Sequence, residues 1–186
     1  LKYDSSGSLA WQKTWGGTSD YDERGRGVAA DGSGNIYVTG TTSSYGAGYD
    51  DVMLLKFNAT GGLVWQKTWG GTNDDYGSGV AVDGSGNIYV TGTTRSFDSG
   101  GYRIVLLKFN STDGGVVWQK TWGIKLRDEG YAVALDGSGS IYVTGEADTF
   151  GTGYADVVLL KFDSSGALQW QKTWGDTGQD WGMGIA

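Results

Sequence analysis

Carboxylates, arginines and aromatic rings are the reactive groups of this chain, which has no cysteine and no histidine. Disulfides, thiolate nucleophiles, imidazole bases and the usual zinc ligands are therefore excluded, and a bound metal would have to be a hard, oxygen-ligated cation. An acid recurs at one place, as Glu23, Asp75, Asp128 and Asp180, with Asp20, Asp22, Asp74 and Glu129 close by. Two carboxylates facing each other across a pocket can cleave a glycosidic bond, which keeps a glycan hydrolase or lyase as the third reading. Nothing resembles an activated nucleophile or a tuned base, so no enzymatic activity is expected. Short acids commonly cap loop amides before a strand. Glu146 stands apart, because the sister positions hold Thr41 and Thr93.

A second set of residues is suited to binding. Tyr45, Tyr49, Phe97, Tyr102, Phe150 and Tyr154 fall in variable segments that also carry Arg24, Arg26, Arg95, Arg103, Lys125 and Arg127. Aromatic rings beside arginines and carboxylates can stack on sugars and hydrogen-bond their hydroxyls, giving a carbohydrate-binding module. The competing reading is structural, since Tyr45, Phe97 and Phe150 align with one another and recurring positions pack. Arg103 breaks its pattern, standing where the sister units have Asp51 and Asp156. The string DGSGN offers oxygens at alternate positions. It lacks the Gly and Glu of a helix-loop-helix calcium site, so a hairpin turn is the expectation, with room left for a weak oxygen-ligated calcium site. Asn58-Ala-Thr60 and Asn110-Ser-Thr112 are glycosylation sequons, and Asn is equally a good turn residue.

These residues sit in a repeat. WQKTWG begins at Trp11, Trp65, Trp118 and Trp170, at spacings of 54, 53 and 52 residues. DGSGNIYVTG at Asp31 and Asp83, its variant at Asp136, and LLKF at Leu54, Leu106 and Leu159 keep the same step. Each unit holds four strand-like segments, A to D, separated by turn residues. In the second full unit they are placed at 79–83, 87–94, 104–110 and 116–123. Alternation predicts that Trp65, Lys67 and Trp69 share one face of strand D and that strand C is apolar on both faces, as in a sheet covered on both sides. Indoles in such a position are expected to be buried, each truncation costing roughly 3 kcal/mol.

Four-stranded antiparallel sheets repeated around an axis make a β-propeller, so the fold class is all-β, with about three and a half repeats. The expected organisation is a partial blade at 1–16, blades at 23–69, 75–122 and 128–174, and the start of another at 175–186. On this count the chain is a window on a longer array, with assembly from several copies as the alternative. The run from D-G-S-G-N-I-Y-V-T-G through L-L-K-F to W-Q-K-T-W-G-G resembles the seven-bladed β-propeller repeat family (SBBP-type repeats) of exported bacterial and archaeal proteins. The resemblance implies a propeller fold and an extracellular or cell-surface setting, and it implies no reaction.

Charge narrows the partners. A net charge of −7 disfavours nucleic acid, whose phosphates need a basic surface. No apolar run is long enough to span a membrane as a helix. The leading expectation is a structural or protein-interaction scaffold that contacts other chains or copies of itself. Glycan binding through the loop aromatics is the alternative.

Overall fold

The computed structural model describes residues 1–17, 22–97, 101–124, 127–148 and 154–186. Their secondary structure is all β. A two-stranded sheet of β1 (Lys2–Tyr3) and β2 (Leu9–Trp11) precedes three four-stranded antiparallel sheets. The first contains β3 (Glu23–Ala30), β4 (Ile36–Thr42), β5 (Asp51–Phe57) and β6 (Leu63–Trp69). The second contains β7 (Asp75–Val82), β8 (Ile88–Thr94), β9 (Arg103–Phe109) and β10 (Val116–Trp122). The third contains β11 (Asp128–Leu135), β12 (Ile141–Ala147), β13 (Asp156–Phe162) and β14 (Leu168–Trp174). Within each sheet the strands follow chain order, as hairpin connections require.

Each hairpin is closed by its own side chains. Asp83 Oδ1 accepts from the amides of Ser85 and Asn87, while Oδ2 accepts from the Asn87 amide group and the Tyr89 hydroxyl. Asp31 does the same with Ser33, Asn35 and Tyr37. Asp136 engages Ser138, Ser140 and Tyr142. In this way the DGSGN acid is spent on the turn, and among the described residues no cluster of acids could hold a metal.

Neighbouring sheets pack face to face, and the apolar cores lie between them. One core joins Tyr37, Val52 and Leu54 to Ile88, Val90, Val105 and Leu107. The next joins Tyr89, Ile104 and Leu106 to Ile141, Val143, Val158 and Leu160. Leu106 and Leu107 thus enter different cores, the two-faced burial that the pattern of strand C predicts. First strands pack closely, β3 on β7 and β7 on β11. A Cβ on Gly27 would meet Ser78 O at 2.9 Å, and one on Gly79 would meet the Ala132 Cα at 3.0 Å. Backbone lies on backbone there, and only glycine permits it.

At the outer edge large side chains bridge the gap. Trp15 Nε1 donates to Gln66 Oε1 at 2.8 Å, Trp69 to Gln119 at 3.0 Å and Trp122 to Gln171 at 2.9 Å. The second Trp of each motif therefore donates to the Gln of the next. Tyr37, Lys56 and Trp65 form one cross-strand row, repeated as Tyr89, Lys108 and Trp118 and as Tyr142, Lys161 and Trp170. The Lys ammonium lies 5.2 to 5.5 Å from the Tyr ring centre. Lys56 Nζ also reaches across to Ser111 O at 2.7 Å, in the following sheet.

Two expectations need correction. The first strand begins at Asp75, not at residue 79, because the glycine-rich DYGSG pairs with β8 despite its loop-like composition. The recurring acid is thus the opening residue of the strand. The indoles are mostly not buried, since β6, β10 and β14 are outer strands. Trp69 is 9% exposed, Trp11, Trp15, Trp65, Trp118 and Trp122 are half-buried, and Trp170 and Trp174 are 38% and 81% exposed.

Three variants measure these contacts. In Gly92→Ala the new Cβ would overlap the Tyr76 carbonyl oxygen, whereas Gly84 faces open space. Urea unfolding should show Gly92→Ala losing about 3 kcal/mol or more and Gly84→Ala staying within about 0.5 kcal/mol. Gln119→Met strands the Trp69 indole N–H and should cost about 1–2 kcal/mol in the same assay.

Candidate functional site

Repeated side chains pack the sheets together, so the positions that differ between repeats are free for other work. On the first strands two such positions flank an unchanging Gly: Arg24 and Arg26 on β3, Tyr76 and Ser78 on β7, Glu129 and Tyr131 on β11. The three strands bring these residues together at the inner edge. Arg26, Tyr76, Ser78, Glu129 and Tyr131 line one cleft of about 300 Å³, joined by Thr93, Tyr102 and Arg127. A smaller cavity of about 90 Å³ adjoins it, sharing Arg26 and Tyr76 and adding Asp22, Arg24, Ser43 and Asp50.

Tyr102 is placed by its neighbours. Its carbonyl accepts the Asp128 amide at 2.9 Å, its ring lies 6.5 Å from that of Tyr76 in a stacked arrangement, and the Arg95 guanidinium sits 4.8 Å from its ring centre. Arg95 also pairs with Asp74 at 3.1 Å. Arg127 Nε bridges two acids, Glu129 at 2.7 Å and Glu146 at 3.2 Å. Glu146 is fully buried, and burial pushes its carboxyl upward against the pull of Tyr131 and Arg127. Tyr131 donates to Glu129 Oε2 at 3.3 Å. Burial, the Glu129 and Glu146 charges and hydrogen bonding push its hydroxyl far above the usual phenol range, and burial with Asp74 nearby pushes Tyr76 to about 12. Both phenols are therefore donors at neutral pH and cannot serve as bases.

Tyr102 lines this cleft, but the other described loop aromatics do not. Tyr45 lies 5.2 Å from Trp15 and Phe97 lies 4.7 Å from Trp69, each fastening its loop to the preceding sheet's indole. Tyr49 and Tyr154 are 76% and 72% exposed. Phe150 lies outside the described residues, as do Asp20 and Lys125. Arg103 opens β9, half-buried, where Asp51 and Asp156 open β5 and β13. Asp51 accepts the amides of Ala47 and Gly48 and so shapes its own loop. Asp75, fully buried, accepts from the Gly71 amide and from the hydroxyls of Thr94 and Ser96. That is the loop-capping role its spacing predicts.

Both sequon asparagines are turn residues. Asn58 Oδ1 accepts from the amides of Thr60 and Gly62, and Asn110 Oδ1 from those of Thr112 and Asp113. Asp4 and Asp163 make the same turn in the other units, so the fold by itself accounts for an Asx residue there. Arg26, Glu129, Arg127 and Tyr102 are among the candidates the sequence offers, whereas Tyr76, Ser78 and Tyr131 are not. Their signal was present as variation between repeats, Arg24 against Tyr76 and Glu129, inside an otherwise fixed frame.

The buried acid sets a pH dependence. A carboxyl whose folded value is raised binds more protons in the native state than in the unfolded chain, so its effect on stability worsens as pH rises through that window. Glu146→Thr, the residue of the sister units, removes this term and leaves Arg127 its Glu129 partner. In thermal melts, the Tm of wild type minus that of Glu146→Thr should be more favourable to wild type at pH 5 than at pH 7.5.

Comparison with known proteins agrees with the architecture. The sequence model described as "Beta-propeller repeat" (SBBP) matches residues 15–46 and 68–98, covering the start of the first and second four-stranded sheets. The chain is also similar to the regulatory protein FlaEY of Caulobacter vibrioides, 26% identical over 163 residues. That alignment takes in 74% of this chain and 17% of FlaEY, so the chain spans about a sixth of its relative's length. The same markers recur in the third sheet, and all three sheets have the four-stranded antiparallel order of a propeller blade. Residues 15–46 and 68–98 are therefore SBBP-type β-propeller repeats, and the third sheet repeats their four-stranded order.

Proposed function

We propose that the chain is a non-enzymatic scaffold for protein interaction, acting at the cell surface or outside the cell, and that the inner-edge cleft is its contact face. One observation carries this reading. The repeated Trp, Gln, Lys and Gly residues are consumed by packing between sheets, while the first-strand residues that differ from unit to unit gather at the inner edge. The cleft has donors and charges without an activated nucleophile, which fits binding better than chemistry. Similarity to a protein named as regulatory accords with a role exercised through other proteins. The extracellular setting rests on the resemblance to repeats of exported proteins.

Carbohydrate binding is the second reading, favoured by the aligned and exposed Tyr49 and Tyr154. A photo-crosslinking residue at Arg24, beside the cleft, should capture a protein in the native host, while the same residue at exposed Thr112, on a turn between third and fourth strands, should not. Equal capture at both positions, or none at either, would remove the scaffold reading. A glycan-array signal lost in folded Tyr49→Ala and Tyr154→Ala variants would put sugar binding in its place.

A further inference from the structure

We propose that the inner-edge cleft takes a carboxylate side chain from an acidic peptide segment of a protein partner, with Arg26 as the cation that receives it. The inference rests on the scaffold reading above and specifies the chemistry of the partner.

Charge pairing singles out Arg26. Arg24 is paired with Asp22 at 2.6 Å, Arg95 with Asp74, and Arg127 with both Glu129 and Glu146. Arg26 makes no ion pair with any described residue, although it is exposed and lies where the two cavities meet. A guanidinium presents a planar fork of donors that matches a carboxylate. The groups around it complete an acceptor's site. Tyr76 is held protonated, and Ser78 and Thr93 add hydroxyls to the lining, while the cleft's own acid, Glu129, is already met by Arg127 and the Tyr131 hydroxyl. An ionised carboxylate, which only accepts, is the ligand group this donor set suits.

The rings argue for peptide over sugar. A pyranose would need an open aromatic face, but Tyr102 is already engaged by the Arg95 guanidinium and the Tyr76 ring. The volume of about 300 Å³ accommodates a side chain or two of an extended segment. The net charge of −7 repels an acidic partner from the rest of the surface, so attraction at one cation also fixes where it docks.

The test is an NMR titration of the ¹⁵N-labelled chain with acetyl-tetraglutamate amide, with acetyl-tetraglutamine amide and digalacturonate as comparisons. The glutamate peptide should shift the amides of Gly25, Gly27 and Ser78 and the glutamine peptide should not. Arg26→Ala should weaken binding about tenfold or more, and Arg26→Lys, which keeps the charge without the fork, should retain part of it. Absent shifts, shifts unchanged in Arg26→Ala, or shifts with digalacturonate alone would overturn the proposal. Cross-links from Arg24 that persist undiminished when Arg26 is Ala would overturn it too while leaving the scaffold standing. Loss of the Arg24 cross-links from wild type would instead mark failure of the scaffold reading itself.

Discussion

Sheets with two apolar faces must be covered on both sides, and every other feature of this chain follows from how one sheet covers the next. Successive sheets touch backbone to backbone at their first strands, at Gly27 and Gly79, and spread apart toward their fourth strands, where Trp and Gln side chains meet across the gap. The space between them is a wedge. Side-chain size follows it, from Gly at the inner edge through Val and Leu in the middle strands to Trp at the outer edge. Native packing density demands this gradient, because a void forfeits dispersion contacts and an overfilled inner edge forces the sheets apart.

Polar bonds make the wedge specific. Burying an indole against the next sheet would leave its N–H without water, so each second Trp is met by a Gln carbonyl at hydrogen-bond distance. Lys56 does two things at once, resting its ammonium against Tyr37 and donating it to the following sheet's turn. These contacts fix the offset between neighbours in a way that apolar packing alone does not, since Leu on Leu tolerates sliding. The outer edge therefore sets register between sheets and the inner edge sets their closeness.

That division leaves the unit-specific residues at the inner edge available for function. The first strands are narrow because of glycine, so the side chains between those glycines can project from a surface shared by three sheets. Glu146 shows the cost of placing charge there. It replaces a threonine, loses all contact with solvent, and is held beside Arg127 and Tyr131 with its carboxyl raised by burial. A group maintained at such a cost in one unit only marks the third sheet as different from the other two.

The sequence by itself determined the class, the repeat and the strand order, because Trp, Tyr and Leu at period two and Asp-Gly-Ser-Gly turns are local signals whose meaning does not depend on distant partners. It also determined that strand C is buried on both faces and that the recurrent acid caps a loop. It did not determine where β7 begins, since glycine there reads as a loop until a neighbouring strand pairs with it. Nor did it show that Tyr45 and Phe97 anchor loops on indoles about thirty residues before them, while Arg26, Tyr76 and Tyr131 share a cleft. Those three residues lie about fifty apart in the chain. Only the close approach of three glycine-bearing strands brings them together, and that proximity is a property of sheet packing that no local pattern encodes.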